Sequence, residues 1–393
     1  MSIKNIITLF CAIAALTLIS CEEPRYDYSP SVVIASLGTP ADNEIWFTTT
    51  DGLHLISMDE SAFDAEVADI EYSEWDFNII RFKSKVTEIG DNAFNRCTNL
   101  YNISLPNSIK TIGNRSFYDC NNLECLTLGS GIKRIGSEAF GTCYQLYSLH
   151  IPSIAAWCQI AFSDTFSNPL YYTESFCIEE QEIATLLIPN GIKSINNYAF
   201  AYNYCLRKVV LPASITSIGK DAFAGCENID EVEIESIEKW CQIEFANETS
   251  NPASISGGLK IKGIDIHNIS ISNVSRVNSY AFINCNSIKS FSADDALKCI
   301  GIDAFRNCSA LSIVSLGKGI EEIGEQGRSR AFMGCEGLNK VVCQATTPPI
   351  LNDDYTFESN AKDRKFYVPS EALEAYKSSP YWKKYADKIE ALE

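Results

Sequence analysis

The strongest constraint on this sequence is a unit of about 23 residues that recurs along most of the chain. In the copy from Val86 to Pro106, Ile-Gly is followed by Ala-Phe-x-x-Cys-x-x-Leu and then by x-x-Ile-x-Leu-Pro. A fixed period of this size is typical of a solenoid, in which each unit buries its apolar side against the next. The Phe of the unit recurs at Phe94, Phe117, Phe140, Phe200, Phe223, Phe282, Phe305 and Phe332.

Each unit ends in a short apolar run such as Leu100, Ile103 and Leu105. The alternation predicts a short strand with Ile103 and Leu105 facing inward. The residues that flank the middle apolar position then point outward, and we call this row the strand face. Its mixed, lightly charged composition suits a protein-contact surface and an ordinary solvated sheet equally. It comprises Asn102, Ser104, Cys125, Thr127, Ser148, His150, Lys208, Val210, Glu231, Glu233, Ser290, Ser292, Ile313, Ser315, Lys340 and Val342.

The residue after the first Ile of the unit is Gly or Asn in every copy. These two residue types tolerate a left-handed backbone best, so the pattern predicts a positive φ at this position. The position is occupied by Gly90, Gly113, Gly136, Asn196, Gly219, Asn278, Gly301 and Gly324.

Sixteen cysteines raise the question of disulfides, but seven of them share one repeat position, where Asn203 replaces the eighth. A position that accepts Asn is not obliged to form a bridge. The pattern favours small buried thiols, and stacked disulfides are the alternative. The seven are Cys97, Cys120, Cys143, Cys226, Cys285, Cys308 and Cys335.

The N-terminus carries Lys4 and then an apolar run from Ile6 to Ile19. The run is too short to span a bilayer and is typical of a secretory signal at 1–20. Leu18-Ile19-Ser20-Cys21 resembles a bacterial lipobox, which predicts cleavage before Cys21 and a lipid on its thiol. A plain signal peptide with an incidental Cys is the alternative. Residues 21–40, polar and containing Pro, are predicted to be a tether.

Two long intervals interrupt the period, and both contain Ser-Ile-x-x-Trp-Cys-Gln-Ile-x-Phe followed by Ser-Asn-Pro. The two Trp modules, at about 153–182 and 236–265, are 83 residues apart. Ordinary repeats resume after each module. The middle of the chain is therefore a duplicated unit of two repeats and one Trp module.

The ends of the repeat region, 77–347, are predicted to be capped. For the N-terminal cap, 41–76, we expect a β-hairpin with strands at 45–50 and 53–56 and a turn at Asp51-Gly52. For the C-terminal cap, 348–393, we expect two short helices, the first with Ser370 as its N-cap and the second from Tyr381 to Glu393.

The repeat Ile-Gly-x-x-Ala-Phe-x-x-Cys-x-x-Leu-x-x-Ile-x-Leu-Pro resembles the BspA-like, or treponemal-type, leucine-rich repeat. The resemblance covers nearly the whole chain after the leader. It implies a β-rich leucine-rich-repeat solenoid, an α/β repeat of mostly short strands, with an N-terminal β-hairpin cap and a C-terminal helical cap. Members of this family are surface or secreted proteins, some implicated in adhesion to host matrix proteins and to other bacteria, and their repeat residues are not catalytic.

Little in the sequence indicates chemistry. His54, His150 and His267 lie far apart and show no metal-ligand spacing, so we expect no metal and no cofactor. The Trp157-Cys158 and Trp240-Cys241 pairs occur in duplicated modules without a nearby base, which favours a structural core over a nucleophile. We therefore expect that the protein is not an enzyme. A formal net charge of −18 makes nucleic acid an improbable partner.

The leading expectation is an outer-membrane lipoprotein exposed at the cell surface. It would touch the membrane through its lipid alone and bind host matrix proteins or bacterial surface proteins. A glycan-binding accessory protein of a polysaccharide uptake system is the alternative. The candidate binding residues lie between the Trp modules, where we expect consecutive strands to bring them together, with two tyrosines at one rim. They are His150, Thr185, Lys208, Glu231, Glu233, Tyr171 and Tyr172.

Overall fold

The computed structural model describes residues 38–392 with the exception of 53, 74–76, 179–180 and 326. Each repeat contains a strand, a two-residue strand and a turn that carries the Phe. Equivalent strands of successive repeats pair in parallel, with Asn102 opposite Cys125 and Thr111 opposite Arg134. The predicted repeat-rich, β-dominated fold with parallel sheets is confirmed.

The first block of the stack has an eight-stranded and a four-stranded sheet, in the orders β12-β11-β9-β7-β5-β1-β3-β2 and β10-β8-β6-β4. Helix α1, Ile154–Trp157, belongs to the first Trp module. The strands are β1 Glu44–Thr49, β2 Val67–Glu71, β3 Asn78–Phe82, β4 Glu88–Ile89, β5 Leu100–Ser104, β6 Thr111–Ile112, β7 Cys125–Thr127, β8 Arg134–Ile135, β9 Ser148–Ile151, β10 Ala161–Phe162, β11 Ser175–Ile178 and β12 Gln181–Glu182.

The second block has sheets in the orders β13-β15-β17-β19-β20 and β14-β16-β18. Its Trp module contributes α2, Ile237–Cys241, and α3, Ala253–Ser256. The strands are β13 Thr185–Leu187, β14 Ser194–Ile195, β15 Lys208–Leu211, β16 Ser217–Ile218, β17 Glu231–Ile234, β18 Glu244–Phe245, β19 Lys260–Ile261 and β20 Ile264–Asp265.

The third block has sheets in the orders β21-β23-β25-β27-β29-β30 and β22-β24-β26-β28. Helix α4, Leu373–Ser378, precedes the last strand. The strands are β21 Asn268–Ile271, β22 Arg276–Val277, β23 Ser290–Ala293, β24 Cys299–Ile300, β25 Ile313–Leu316, β26 Glu322–Ile323, β27 Lys340–Cys343, β28 Ile350–Leu351, β29 Lys365–Val368 and β30 Ile389–Ala391.

The repeat phenylalanines stack along the axis of the core. The ring centroids of Phe94 and Phe117 are 5.0 Å apart with 9° between the ring planes, and Phe117 and Phe140 are similarly placed at 5.2 Å and 3°. Each buried Phe contributes about 1.5–3 kcal/mol through removal of apolar surface from water. The stack continues beyond the predicted positions, because Phe357 lies 5.4 Å from Phe332 with nearly parallel rings.

The repeat cysteines are buried and unpaired, as predicted. Five of the seven thiols donate to the main-chain oxygen of the Phe one repeat earlier, at 3.0 Å from Cys120 to Phe94 and 3.1 Å from Cys143 to Phe117. The same bond joins Cys226, Cys308 and Cys335 to the preceding repeat at 3.0 Å.

The predicted positive φ after the first Ile is wrong for all positions except Gly324, whose φ is 88°. Gly is required there because successive repeats approach closely. A Cβ on Gly136 would lie 2.6 Å from the main-chain nitrogen of Asn114. Asn196 and Asn278 each follow a Trp module, where the preceding turn takes another path. Their side chains instead donate to main-chain oxygens of those modules.

Positive φ occurs two residues before and two residues after each repeat Phe. Around Phe94, Asn92 has a φ of 60° and Arg96 a φ of 61°. Most residues at these positions are not glycine, so the sequence pattern carries little sign of this backbone. The others are Arg115, Asp119, Glu138, Thr142, Tyr198, Tyr202, Asp221, Gly225, Tyr280, Asn284, Asp303, Asn307, Arg330 and Gly334.

The predicted N-terminal hairpin is wrong in its pairing. The strand Glu44–Thr49 forms, but it pairs antiparallel with Asn78–Phe82 on one side and with Leu100–Ser104 on the other. Residues 54–56 are not in a strand. The apolar residues of β1, Ile45 and Phe47, are completely buried, and β1 therefore extends the sheet of the repeats.

The C-terminal prediction is correct in part. The helix Leu373–Ser378 forms, but Ser370 does not cap it and instead donates to the oxygen of Leu392. The predicted second helix is a 3-10 segment, Lys383–Lys388, followed by a strand, Ile389–Ala391, that continues the sheet.

Candidate binding face

The centre of the strand face carries four charged side chains on three strands. Thr185, Lys208 and Glu231 are aligned across β13, β15 and β17. The ammonium group of Lys208 lies 2.5 Å from a carboxylate oxygen of Glu231 and 2.5 Å from one of Glu233. Lys260 binds the other oxygen of Glu231 at 2.6 Å. We call Lys208, Glu231, Glu233 and Lys260 the charged cluster.

The charged cluster is neutral overall and a quarter to a third exposed at each side chain. Hydrogen bonds from Lys208 and Lys260 lower the pKa of Glu231, and the bond to Glu231 is the largest cause of the raised pKa of Lys208. Glu231, Lys208 and Lys260 therefore remain charged near neutral pH. The cluster offers a partner alternating charges held in fixed positions by the strands.

His150 does not join this cluster, and the prediction that its strand is consecutive with that of Thr185 is wrong. His150 lies on β9, which pairs with β7 and β11 in the first block, and β12 follows β11 before the next block begins. Its ring nitrogen Nε2 is 2.9 Å from the hydroxyl of Ser148. The reason for the error is the hairpin that β11 and β12 form within the first Trp module, which the sequence does not show.

Part of the strand face is buried. Asn102 and Ser104 on β5 are completely inaccessible, and Cys125 on β7 is 1% exposed. The amide of Asn102 donates to the hydroxyl of Thr48 on β1, which lies beside it in the sheet. The exposed strand face therefore begins later in the chain than the alternation of residues predicts.

Tyr171 and Tyr172 belong to a group of aromatic rings outside the strands. Tyr171 lies 4.9 Å from Tyr172, 4.7 Å from Tyr202 and 5.1 Å from Phe166, and Tyr172 lies 5.9 Å from Tyr144. We call these five residues the aromatic edge.

The aromatic edge contains one ring that is fixed by a hydrogen bond and others that are exposed to solvent. The hydroxyl of Tyr172 accepts a hydrogen bond from the main-chain nitrogen of Thr142 at 2.9 Å. Burial raises the pKa of Tyr172 to about 12. Tyr144 is 70% exposed and Phe166 is 43% exposed. Within the described residues, no ring contact links this group to the charged cluster, so the two are separate candidate surfaces.

The Trp and Cys side chains of the two Trp modules are buried in the core. Trp157 is 1% exposed and its indole nitrogen donates to the oxygen of Ala199 at 2.6 Å, and Trp240 does the same to Ala281 at 2.7 Å. Cys158 beside Trp157 is completely buried, which raises its pKa to about 12. A thiol in this state is a poor nucleophile.

The remaining predicted features fall into three groups. Across the described part of the chain, no cluster of three His, Cys, Asp or Glu side chains is arranged to hold a metal ion. Cys21 and the predicted leader lie outside the described residues. Of the helices that the structure describes, none combines the length and apolar character needed to cross a membrane.

Sequence reasoning missed Lys260 in the charged cluster and Tyr144 in the aromatic edge. Lys260 lies on β19, after the period is interrupted, so no repeat position indicates that it pairs with Glu231. Tyr144 and Tyr204 both lie four residues after a repeat Phe and are exposed. Tyrosine at this turn position was the available sign of the aromatic surface.

Comparison with solved structures finds similar proteins at low sequence identity. A leucine-rich repeat protein from Bacteroides ovatus is 19% identical, with 90% of this chain and 99% of that chain covered and a TM-score of 0.41. A leucine-rich cell surface protein from Faecalibacterium prausnitzii is also 19% identical, covers 90% and 93%, and has a TM-score of 0.43. For the pneumococcal vaccine antigen PcpA the identity is 17%, the coverage 78% and 70%, and the TM-score 0.35.

No curated protein is similar enough to this chain to count as a relative. The model of the BspA type leucine-rich repeat region, in contrast, matches residues 66–168, 156–251 and 261–380. These segments include every repeat Phe, the whole first Trp module and the second Trp module except residues 252–260. The chain therefore belongs to the BspA-type leucine-rich repeat family.

Proposed function

We propose that this protein is a lipid-anchored cell-surface protein that binds other macromolecules, namely host matrix proteins or surface proteins of other bacteria, through its strand face. The charged cluster is the observation that carries the proposal. The cluster places two lysines and two glutamates on adjacent strands. An exposed apolar residue lies near it, because Leu187 on β13 is 60% exposed and is in register with Val210 and Glu233. Apolar and charged groups in alternation suit a protein partner.

The anchor rests on the sequence of the leader. A lipid on Cys21 would attach the protein to the outer membrane, with residues 21–40 as a tether between the lipid and the repeats. Two features of the sequence support this part of the proposal: the short apolar run before Cys21 and the Leu-Ile-Ser that precedes it.

We propose binding without catalysis, cofactor or metal. The residue types that most resemble a nucleophile, the cysteines after each Trp, are buried in the modules, and burial raises the pKa of Cys241 as it does that of Cys158. Both sites repeat 83 residues apart, which suits a structural role better than an active centre.

Direct binding tests the proposal. The mature chain is passed over immobilised fibronectin, laminin and fibrinogen, with serum albumin as control. We expect saturable binding to at least one matrix protein, weakened by salt because the charged cluster contributes. Binding to the albumin surface at the same level, or binding to none of the matrix proteins and to no bacterial surface protein, contradicts the proposal.

A second candidate function is glycan binding, and the aromatic edge favours it. Exposed rings such as Tyr144 and Phe166 offer flat apolar faces on which a sugar ring can stack. A glycan array probed with the mature chain, and with a Tyr144→Ala variant, separates the two functions. Glycan binding that Tyr144→Ala removes, without binding to matrix proteins, favours this candidate.

A further inference from the structure

The boundary between the first and second blocks leaves one side of β13 open. In a parallel pair, alternate residues direct both main-chain groups to the same neighbour. The nitrogen of Lys208 donates to the oxygen of Ala184, and that of Ile188 donates to the oxygen of Val210. The main-chain groups of Thr185 and Leu187 therefore point away from β15.

These groups have no partner within the described part of the chain. Inside a block, the equivalent groups of a repeat strand bond to the strand of the preceding repeat, but here the preceding segment, β12, runs antiparallel against β11. The main-chain bonds to β11 end at Ile183, whose nitrogen donates to the oxygen of Phe176. The strand β13 thus has two open donors and two open acceptors, whereas a repeat strand inside a block, such as β15, is paired on both sides.

A groove of about 630 Å³ lies beside this open edge. Its walls are mainly apolar, with Leu187 and Ile178 near the rim and Ile154 and Ile183 deeper in the wall. A segment laid along β13 would place alternate side chains inward, towards Ile154 and Ile183. The groove therefore suits an extended chain with apolar residues at alternate positions.

The charge around the groove determines which residue types are favoured at the remaining positions of such a segment. Among its described lining residues Glu182, which is exposed, is the single charged group. The nearest lysine on the neighbouring strand, Lys208, is held by Glu231 and Glu233. With a formal net charge of −18 on the whole chain, a basic segment is favoured over an acidic one.

The arrangement occurs twice. The hairpin of β19 and β20 ends the second block as β11 and β12 end the first, and β21 then opens the third block. Asn268 and Ser270, which are both exposed, lie 83 residues after Thr185 and Leu187 and likewise have no main-chain partner on this side among the described residues. The groove of about 630 Å³ lies beside the first edge, at Thr185 and Leu187. We therefore take the first edge as the stronger site.

We propose that the open edge of β13 binds an extended, basic polypeptide segment by strand addition. Main-chain hydrogen bonds to Thr185 and Leu187 would hold the segment, and the groove would receive its alternate apolar side chains. This inference rests on the proposed function, since it specifies how a protein partner is recognised.

The test uses the mature chain and a set of fluorescent seven-residue peptides in which Val or Ile alternates with Lys or Thr. We expect saturable binding of at least one peptide. Thr185→Pro removes the open N–H without touching the bonds to β15, and it should weaken binding at least tenfold. Thr185→Val, which keeps the N–H, and Asn268→Pro, at the second edge, are the matched controls and should bind normally.

N-methylated peptides provide an independent readout that does not depend on the folding of a variant. Because the N–H groups of a strand alternate in direction, methylating one alternate set should abolish binding and methylating the other set should leave it unchanged. Equal effects of the two sets, no binding at millimolar peptide, or full binding by Thr185→Pro would overturn the inference. Matrix-protein binding that persists in Thr185→Pro would overturn this inference and leave the proposed function intact.

Discussion

The thiol of Cys120 donates a hydrogen bond to the main-chain oxygen of Phe94, 3.0 Å away and one repeat earlier. The same oxygen also accepts from the nitrogen of Cys97, within its own turn. The recurrence of this contact at five of the seven repeat cysteines explains why a small residue with a donor occupies the position. Two of these positions follow a Trp module rather than a repeat, and they hold Asn203 and Cys285, whose thiol lies 3.8 Å from the oxygen of Ala253.

Cys120→Ala is expected to lower the free energy of unfolding by about 1–2 kcal/mol, because it opens a small cavity and removes the bond to Phe94. Cys285→Ala is the matched control. Its thiol lies 3.8 Å from the oxygen of Ala253, so this variant loses the packing and little hydrogen bonding. Urea unfolding of both variants measures the difference, and a larger loss in Cys285→Ala would contradict the role given to the bond.

Gly136→Ala is expected to destabilise the protein by about 1–3 kcal/mol, the usual cost of forcing extra volume into a packed site. The new Cβ would lie 2.6 Å from the nitrogen of Asn114. Asn196→Ala, at the equivalent position after a Trp module, should cost only about 1 kcal/mol for a lost hydrogen bond. Thermal unfolding compares them, and equal losses would show that close approach does not explain the glycines.

Alkaline pH should destabilise the fold through the buried thiols. Burial raises the pKa of Cys97, Cys143, Cys226 and Cys285 from 9.0 to about 12. The thiols ionise near pH 9 in the unfolded chain and remain protonated in the folded one. The contribution of these thiols to the free energy of unfolding is therefore complete below pH 9, and it is lost as the pH rises from 9 towards 12.

Urea titrations at pH 8 and at several values up to 10.5 measure this loss. In Cys226→Ala, the free energy of unfolding should decrease less steeply with pH, by up to about 1.4 kcal/mol per pH unit, which is the contribution of one thiol. Lysines and tyrosines titrate in the same range, so the comparison with the variant isolates the thiol. An unchanged slope in Cys226→Ala would contradict the assignment.

The lipid anchor predicts a simple labelling result. Wild-type protein expressed in a Gram-negative host should incorporate a fatty-acid analogue and sediment with membranes. Cys21→Ser should remove both properties, and Cys11→Ser, within the predicted leader, should remove neither. Unchanged labelling of Cys21→Ser would exclude lipidation at this residue.

The sequence was sufficient for the repeat fold because each unit carries its own signature. Phe, Cys and the alternating apolar run occupy equivalent positions, and the structure stacks them as the period predicts. The N-terminal pairing could not be derived in the same way. Asp51-Gly52 is a good turn by local chemistry, but the apolar residues of β1 are buried more completely by pairing with β3 and β5.

The glycine error has a similar origin. Gly and Asn share a tolerance for positive φ, and that shared property suggested the wrong cause. Gly113 has no side chain because the previous repeat lies against it, whereas Asn196 follows a module and has room for one. The true left-handed positions include Arg96, Glu138 and Thr142, residue types that give no local sign of this conformation.

The candidate surface was predicted only in part, because it depends on which strands are neighbours. The repeat register correctly aligns Lys208 with Glu231. The separation of His150 from Thr185 follows from a hairpin inside a non-repeating module. Lys260 lies in the second Trp module, where the repeat period is interrupted, so the repeat spacing could not predict its pairing with Glu231.

The most direct test of the account is the affinity of the mature chain for the matrix protein that it binds best, before and after reversal of the charged cluster. Lys208→Glu combined with Glu231→Lys should weaken binding at least tenfold, about 1.4 kcal/mol. Because the swap places like charges beside Glu233 and Lys260, circular dichroism at the assay temperature checks that the variant is folded. The paired change Tyr171→Ala and Tyr172→Ala should leave this affinity unchanged. Binding that survives the charge reversal but disappears in the tyrosine variant would contradict the account and place recognition on the aromatic edge.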